Sequence, residues 1–176
     1  MDTILPAKLI EAARKVLEAN RAVGRRIAVA ESCTGGLVSA ALTEIPGSSD
    51  VFDAGFVTYS NEAKQEVLKV SSDVLETFGS VSIAVAWSMA QGALRRSNAD
   101  VAVAITGIAG PDGGSEKKPV GTVVFAQAVR GADPQHIVAD SRLLENNGRG
   151  GVRLQAALCA LDLLMPDAAD GAAEPA

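Results

Sequence analysis

Ile27-Ala28-Val29-Ala30-Glu31-Ser32-Cys33-Thr34-Gly35-Gly36-Leu37-Val38 runs from an apolar segment into an amphipathic one through a serine and two glycines. Ile27 to Ala30 predicts a short buried strand. Leu37, Val38, Ala40, Ala41 and Leu42 recur at helical spacing until Pro46-Gly47 stops the pattern. So tight a strand-to-helix turn leaves backbone N–H groups around Thr34 to Gly36 without helical partners, at the positive end of the helix dipole. Such a place suits an oxyanion or a phosphate. A plainer reading stands beside it: Ser32 or Thr34 caps the helix, and the glycines only permit the bend.

Working outward, Pro6 starts a helical pattern through Leu9, Ile10, Ala13, Val16 and Leu17 that Gly24 ends. Val51 to Tyr59 predicts a second strand, and Ser60-Asn61 caps a helix reaching Leu68. Two helices follow over Ser72 to Phe78 and Ser82 to Arg96, then a near-continuous apolar strand over Val101 to Ile105. Thr106 to Pro119 is rich in glycine and too long for a plain connection. Val120 to Val129 and His136 to Leu144 form an antiparallel hairpin across residues 130–134, and a last helix spans about Gly150 to Leu164 before Pro166. The pattern predicts a three-layer α/β/α sandwich on a mixed, mostly parallel sheet. Residues 1–165 are read as a single domain, with 166–176 as a disordered tail.

Composition narrows the function. The chain has 176 residues, 48% of them hydrophobic but only 3% aromatic, so aliphatic side chains and alanine must build the core. A net charge of -5 argues against bulk nucleic-acid binding. The absence of a long apolar run or a secretory leader argues against a membrane partner and for the cytoplasm. Cys33 and Cys159 lie far apart and in no metal-spaced cluster, so neither a disulfide framework nor a metal site is expected. His136 is the sole histidine and lies in a strand-like segment, which disfavours a Ser-His-Asp triad.

In open α/β sheets ligands bind beyond the carboxyl ends of parallel strands, and there the sequence puts Ser32, Tyr59 and Thr106. Strand-end hydroxyls also serve as local caps. A serine nucleophile without histidine needs a lysine or carboxylate base. Lys64, in the first turn of the helix after Ser60-Asn61, sits where the helix dipole disfavours an ammonium. The alternative for Lys64 is a solvated surface side chain. Glu31 is read as structural, and Cys33 as a buried thiol rather than the rival nucleophile. Lys117, Lys118, Arg149 and Arg153 are candidate cations for an anionic substrate.

Four ordered blocks carry a resemblance: Ala30-Glu31-Ser32-Cys33-Thr34-Gly35-Gly36; Thr58-Tyr59-Ser60-Asn61 with Lys64; Thr106-Gly107-Ile108-Ala109-Gly110-Pro111 with Gly113-Gly114; and Lys118-Pro119-Val120-Gly121-Thr122-Val123. Together they resemble the CinA C-terminal domain family of nicotinamide-nucleotide amidases, over about Leu9 to Leu164. The resemblance implies deamidation of nicotinamide mononucleotide to nicotinate mononucleotide and ammonia, in pyridine-nucleotide salvage. Ser32 is then the nucleophile and Lys64 its base, with neither cofactor nor metal. It implies Tyr59 and Thr106 in the site, with Arg149 at the substrate phosphate. With Asn61 and Gly107 from the quoted blocks, and Thr34, Gly35 and Gly36 at the oxyanion, these make the expected substrate-binding set. It further implies a small-molecule nucleotide as partner and a homodimer or higher homo-oligomer, in the stand-alone form without the N-terminal domain of larger members. Two departures mark this chain: Ile83-Ala84 where the family often has acidic residues, and Gly148 where an aspartate commonly precedes the arginine. A non-catalytic nucleotide-binding or interaction module linked to competence or damage responses is the alternative.

Overall fold

The computed structural model describes residues 3–133 and 135–167. Most of the segment read as a disordered tail, 168–176, lies outside the described residues. Helix α1 spans Ala7–Ala22, β1 Ile27–Glu31, α2 Leu37–Thr43, β2 Phe52–Val57, α3 Asn61–Leu68, α4 Ser72–Phe78 and α5 Ile83–Arg95. Strands β3, β4 and β5 cover Val101–Gly107, Thr122–Val129 and Val138–Leu143, and α6 covers Arg149–Leu163. A 3-10 turn at Ser48–Asp50 leads into β2.

The strands form one sheet in the order β2-β1-β3-β4-β5. The β1–β2 and β1–β3 pairings are parallel, while β3–β4 and β4–β5 are antiparallel. The expectation of a mostly parallel sheet is therefore corrected: the two kinds of pairing are equal in number. The cause is the segment after β3. No crossover helix follows it, so the chain can only fold back beside its own strand.

Side-chain alternation divides the core into two unequal faces. Ile27, Val29, Val101, Val103, Ile105, Val123 and Phe125 pack with α1, α2 and α6. Ala28, Ala30, Ala102, Ala104, Ala126 and Ala128 face α5, which answers with Ala86, Ala90 and Ala93. With so few aromatics, one face is filled by branched aliphatics and the other is thin enough for α5 to lie close on the sheet. Gly92 of α5 extends this to α3: a Cβ there would overlap the Leu68 carbonyl. Helix α3, which carries Lys64, is thereby held against the sandwich.

Candidate active site

Because β1, β2 and β3 are parallel, their carboxyl ends share one edge of the sheet. Ser32 follows β1, Tyr59 follows β2, and Thr106 and Gly107 end β3. All four line a cavity of about 190 Å³ together with Lys64 and Arg149. Ser80, Val81, Gly107, Ala109 and Arg149 also line a neighbouring cleft of about 430 Å³, so the two form one continuous depression.

Helix α3 begins with Ser60, whose Oγ accepts the Ala63 N–H at 3.0 Å. That cap directs Lys64, one turn on, back under the sheet edge, where it is only 1% exposed. Its Nζ lies 3.0 Å from Ser32 Oγ and donates to the carbonyls of Thr58 at 2.9 Å and Tyr59 at 3.2 Å. Burial pushes the Lys64 pKa below the ordinary lysine range, outweighing the opposing charge effects of Cys33 and Glu62. A neutral amine has two N–H groups and one lone pair. With both N–H groups spent on the two carbonyls, the lone pair is left for the Ser32 hydroxyl.

The turn after Ser32 accounts for nearly all of its backbone donors. Ser32 N–H donates to Ile105 O, Gly35 N–H to Ser32 O and Leu37 N–H to Thr34 O. The Glu31 carboxylate, 0% exposed, accepts from the N–H groups of Gly36, Val38 and Ser39 and from the Ser39 hydroxyl. Neither Ser32 nor Thr34 caps α2. Glu31 does so from the preceding strand, and an internal carboxylate already occupies the anion site that the helix start offers. Cys33 and Thr34 keep the turn's uncommitted N–H groups among the described residues. The donors of Gly35 and Gly36, expected at the oxyanion, are used to build the turn.

Replacing Glu31 with glutamine keeps the shape but aims an NH2 group at backbone donors. Glu31→Gln is expected to cost about 1–3 kcal/mol of folding stability and to lower turnover, as read by urea unfolding beside an activity assay. An unchanged midpoint would contradict this account of the cap.

The remaining expected residues separate by position. Thr34 is buried, with its hydroxyl unpartnered, and does not line the cavity. Asn61 is exposed at the first position of α3 and is absent from the lining. The Thr106 hydroxyl donates to Ser80 O at 2.8 Å, tying the end of β3 to the segment before α5. Arg149, first residue of α6, donates to Tyr59 Oη and to Gly110 O, both at 2.7 Å. Lys118 lines the neighbouring cleft and donates to Val81 O at 2.7 Å. Lys117 is exposed. Arg153 turns away from the cavity to the carbonyls of Cys33 and Thr34. Sequence reasoning did not name Ser80 or Val81 for the site: they lie in a short linker between helices with no local signal. Burial raises the Cys33 thiol to about 11, which leaves it protonated and a poor nucleophile at neutral pH.

Residues 9–167 match the model of the CinA C-terminal domain. The chain belongs to the CinA C-terminal domain family. Among its relatives is the nicotinamide-nucleotide amidohydrolase PncC of Enterobacter agglomerans, 50% identical over 154 residues, a match covering 88% of this chain and 92% of that protein. A putative competence-damage inducible protein of Symbiobacterium thermophilum is 52% identical over 146 residues, 80% of this chain and 34% of that protein. The chain thus spans about a third of the length of that relative. In three dimensions it is similar to the competence/damage inducible protein CihA from Agrobacterium tumefaciens, with a TM-score of 0.87 and 45% identity, covering 93% of this chain and 97% of that one. The CinA C-terminal domain here therefore matches one relative nearly end to end and another only in part. Among its described residues no group of three or more His, Cys, Asp or Glu side chains can hold a metal ion. Among the described residues, too, no helix is long and apolar enough to cross a membrane.

Proposed function

We propose that the chain is an amidohydrolase that converts nicotinamide mononucleotide to nicotinate mononucleotide and ammonia through a Ser32 acyl-enzyme. The observation that carries this reading is the 3.0 Å separation of Lys64 Nζ and Ser32 Oγ, with Lys64 buried and its pKa lowered. The nicotinamide-nucleotide amidohydrolase relative, matched over nearly its whole length, supports the substrate.

Neutral Lys64 takes the Ser32 proton as Oγ bonds to the carboxamide carbon. The carbonyl oxygen becomes an oxyanion on the side of the cavity lined by Cys33, whose N–H is the nearest uncommitted donor of the turn. Lys64, now an ammonium, gives its proton to the departing nitrogen. The C–N bond breaks and ammonia leaves. Lys64 then draws a proton from water as the water oxygen bonds to the ester carbon; the bond from that carbon to Ser32 Oγ breaks, and Lys64 gives the proton to Oγ. The neighbouring cleft holds the ribose phosphate, and Arg149 exchanges its bonds to Tyr59 and Gly110 for the phosphate oxygens. Two unpaired thiols suit a cytoplasmic setting.

Ammonia release from nicotinamide mononucleotide, with free nicotinamide as the control for phosphate dependence, tests the reading directly. Tight binding of the mononucleotide with no ammonia over long incubation would replace it with a non-catalytic binding module.

The homo-oligomeric partner is assigned to the open edge of β5, where Ile137, Val138 and Leu143 are 52%, 40% and 69% exposed. Antiparallel self-pairing about Ser141 sets each Asp140 opposite the partner's Arg142, a complementary register that covers the β5 edge. Sedimentation should show a dimer that Leu143→Lys converts to monomer. A wild-type monomer at assay concentration rejects the assignment.

A further inference from the structure

We propose that Ser80 is a specificity-determining residue: its hydroxyl, at the waist between the two cavities, hydrogen-bonds the cis-diol of the substrate's ribose and so selects ribonucleotides. The inference rests on the amidase reading above.

Five residues line both the cavity around Ser32 and Lys64 and the neighbouring cleft: Ser80, Val81, Gly107, Ala109 and Arg149. They mark the waist of the depression. A substrate with its carboxamide at Ser32 Oγ and its phosphate in the cleft sets its ribose at that waist, because the ribose is the only link between ring and phosphate. Of the five residues, Val81, Gly107 and Ala109 bring no polar side chain, and the Arg149 guanidinium is assigned to the phosphate. Ser80 is left for the sugar.

The Ser80 hydroxyl is open. It has no hydrogen-bond partner among the described residues, yet solvent reaches it, unlike the unpaired and fully enclosed Arg26 Nε, Thr34 Oγ1 and Thr58 Oγ1. An unpaired hydroxyl on a half-buried residue that lines two cavities meets the water inside them. A ligand hydroxyl can replace that water, and a serine suits a diol because it donates and accepts at once. The Ser80 N–H is likewise uncommitted, which adds a second donor on the same residue.

The backbone holds this residue in place. Four consecutive carbonyls each accept from a side chain: Phe78 O and Val81 O from Lys118 Nζ at 3.3 and 2.7 Å, Gly79 O from Ser82 Oγ at 2.8 Å, and Ser80 O from Thr106 Oγ1 at 2.8 Å. The connection between α4 and α5 is thereby tied to the end of β3 and to the glycine loop. Contacts made by a segment already ordered cost little further entropy on binding.

The test measures ammonia release by wild type and Ser80→Ala from nicotinamide mononucleotide and from its 2′-deoxy and 3′-deoxy analogues, with circular dichroism on both proteins. Wild type should lose about tenfold in kcat/KM on at least one deoxy analogue, the worth of a single hydrogen bond at a site that water can reach. Ser80→Ala should lose about as much on nicotinamide mononucleotide, through KM with kcat within about twofold, because the sugar is held equally in the ground and transition states. On that deoxy analogue the variant should match wild type within about twofold, since the two changes remove one shared bond. A merely structural Ser80 would lower turnover of all three substrates alike, and that result overturns the inference. So does discrimination that Ser80→Ala retains in full. The wild-type comparison stands whether or not the variant folds. No ammonia from wild type on any substrate overturns the amidase reading and this inference with it. Wild-type turnover indifferent to both deoxy sugars overturns this inference alone.

Discussion

Ser32→Ala is expected to abolish ammonia release from nicotinamide mononucleotide while the protein stays folded. The Ser32 hydroxyl has Lys64 as its side-chain partner, and the Ser32 N–H bond to Ile105 O survives the substitution. The stability change is therefore that of one hydrogen bond, about 1 kcal/mol. The chemical loss is far larger. Without Oγ there is no atom to form the acyl-enzyme, and turnover should drop on the order of 10⁴-fold or more. Cys33→Ala is the necessary companion: with its thiol raised to about 11 and buried, its removal should leave kcat within a few-fold of wild type. Substantial turnover in Ser32→Ala, or its loss in a folded Cys33→Ala, would move the nucleophile to the thiol.

Lys64→Met is expected to be as inactive as Ser32→Ala, because the thioether fills the buried space of the lysine side chain but accepts no proton. Its stability tells more than its activity. Losing the buried amine removes a desolvation cost and leaves the Thr58 and Tyr59 carbonyls without their donor. The opposed effects should leave net stability at neutral pH within about 1–2 kcal/mol of wild type. The pH dependence is the sharper signature. The folded pKa of Lys64 lies below its unfolded value, so between the two the unfolded chain binds the extra proton. Wild-type stability should then rise with pH across that window, up to the ordinary lysine range, and Lys64→Met should lack the rise. Turnover should follow the same group, with kcat/KM climbing as Lys64 loses its proton and levelling above its lowered pKa. An identical stability profile in wild type and Lys64→Met would show that Lys64 is not held neutral by the fold.

The fold was legible where local pattern and burial agree. The apolar run Val101 to Ile105 is a central strand, the helical spacing after Pro6 is α1, and the stretch Ser72 to Phe78 is α4 with the same ends. Four ordered blocks, three of them glycine-containing, were also enough to place the family. The balance of parallel and antiparallel pairings had its signal in the residues after β3, which are loop-forming and offer no helix for the crossover that a parallel β4 would need. Only the absence of a crossover there decides the direction of β4. Within the site, Ser32 and Lys64 could be named because a strand-end serine and a helix-start lysine each carry a local signal. Arg153 could be noticed only as a cation, and its target, two backbone carbonyls in a turn more than a hundred residues earlier, has no trace in its own neighbourhood.

Glu31 marks the boundary between the two kinds of knowledge. Sequence alone determined that a buried strand ending at Ala30 runs through Glu31, read as structural, into a serine and a glycine turn that suits an anion or a helix cap. The tertiary structure decided that this carboxylate takes the helix-start donors for itself, leaving those of Cys33 and Thr34 free, and that Lys64 meets Ser32 from another layer. Local sequence encodes backbone conformation through propensity and periodicity. The partner of a buried polar group is set by whichever chain segment packing brings within 3 Å or so, and that depends on the whole fold.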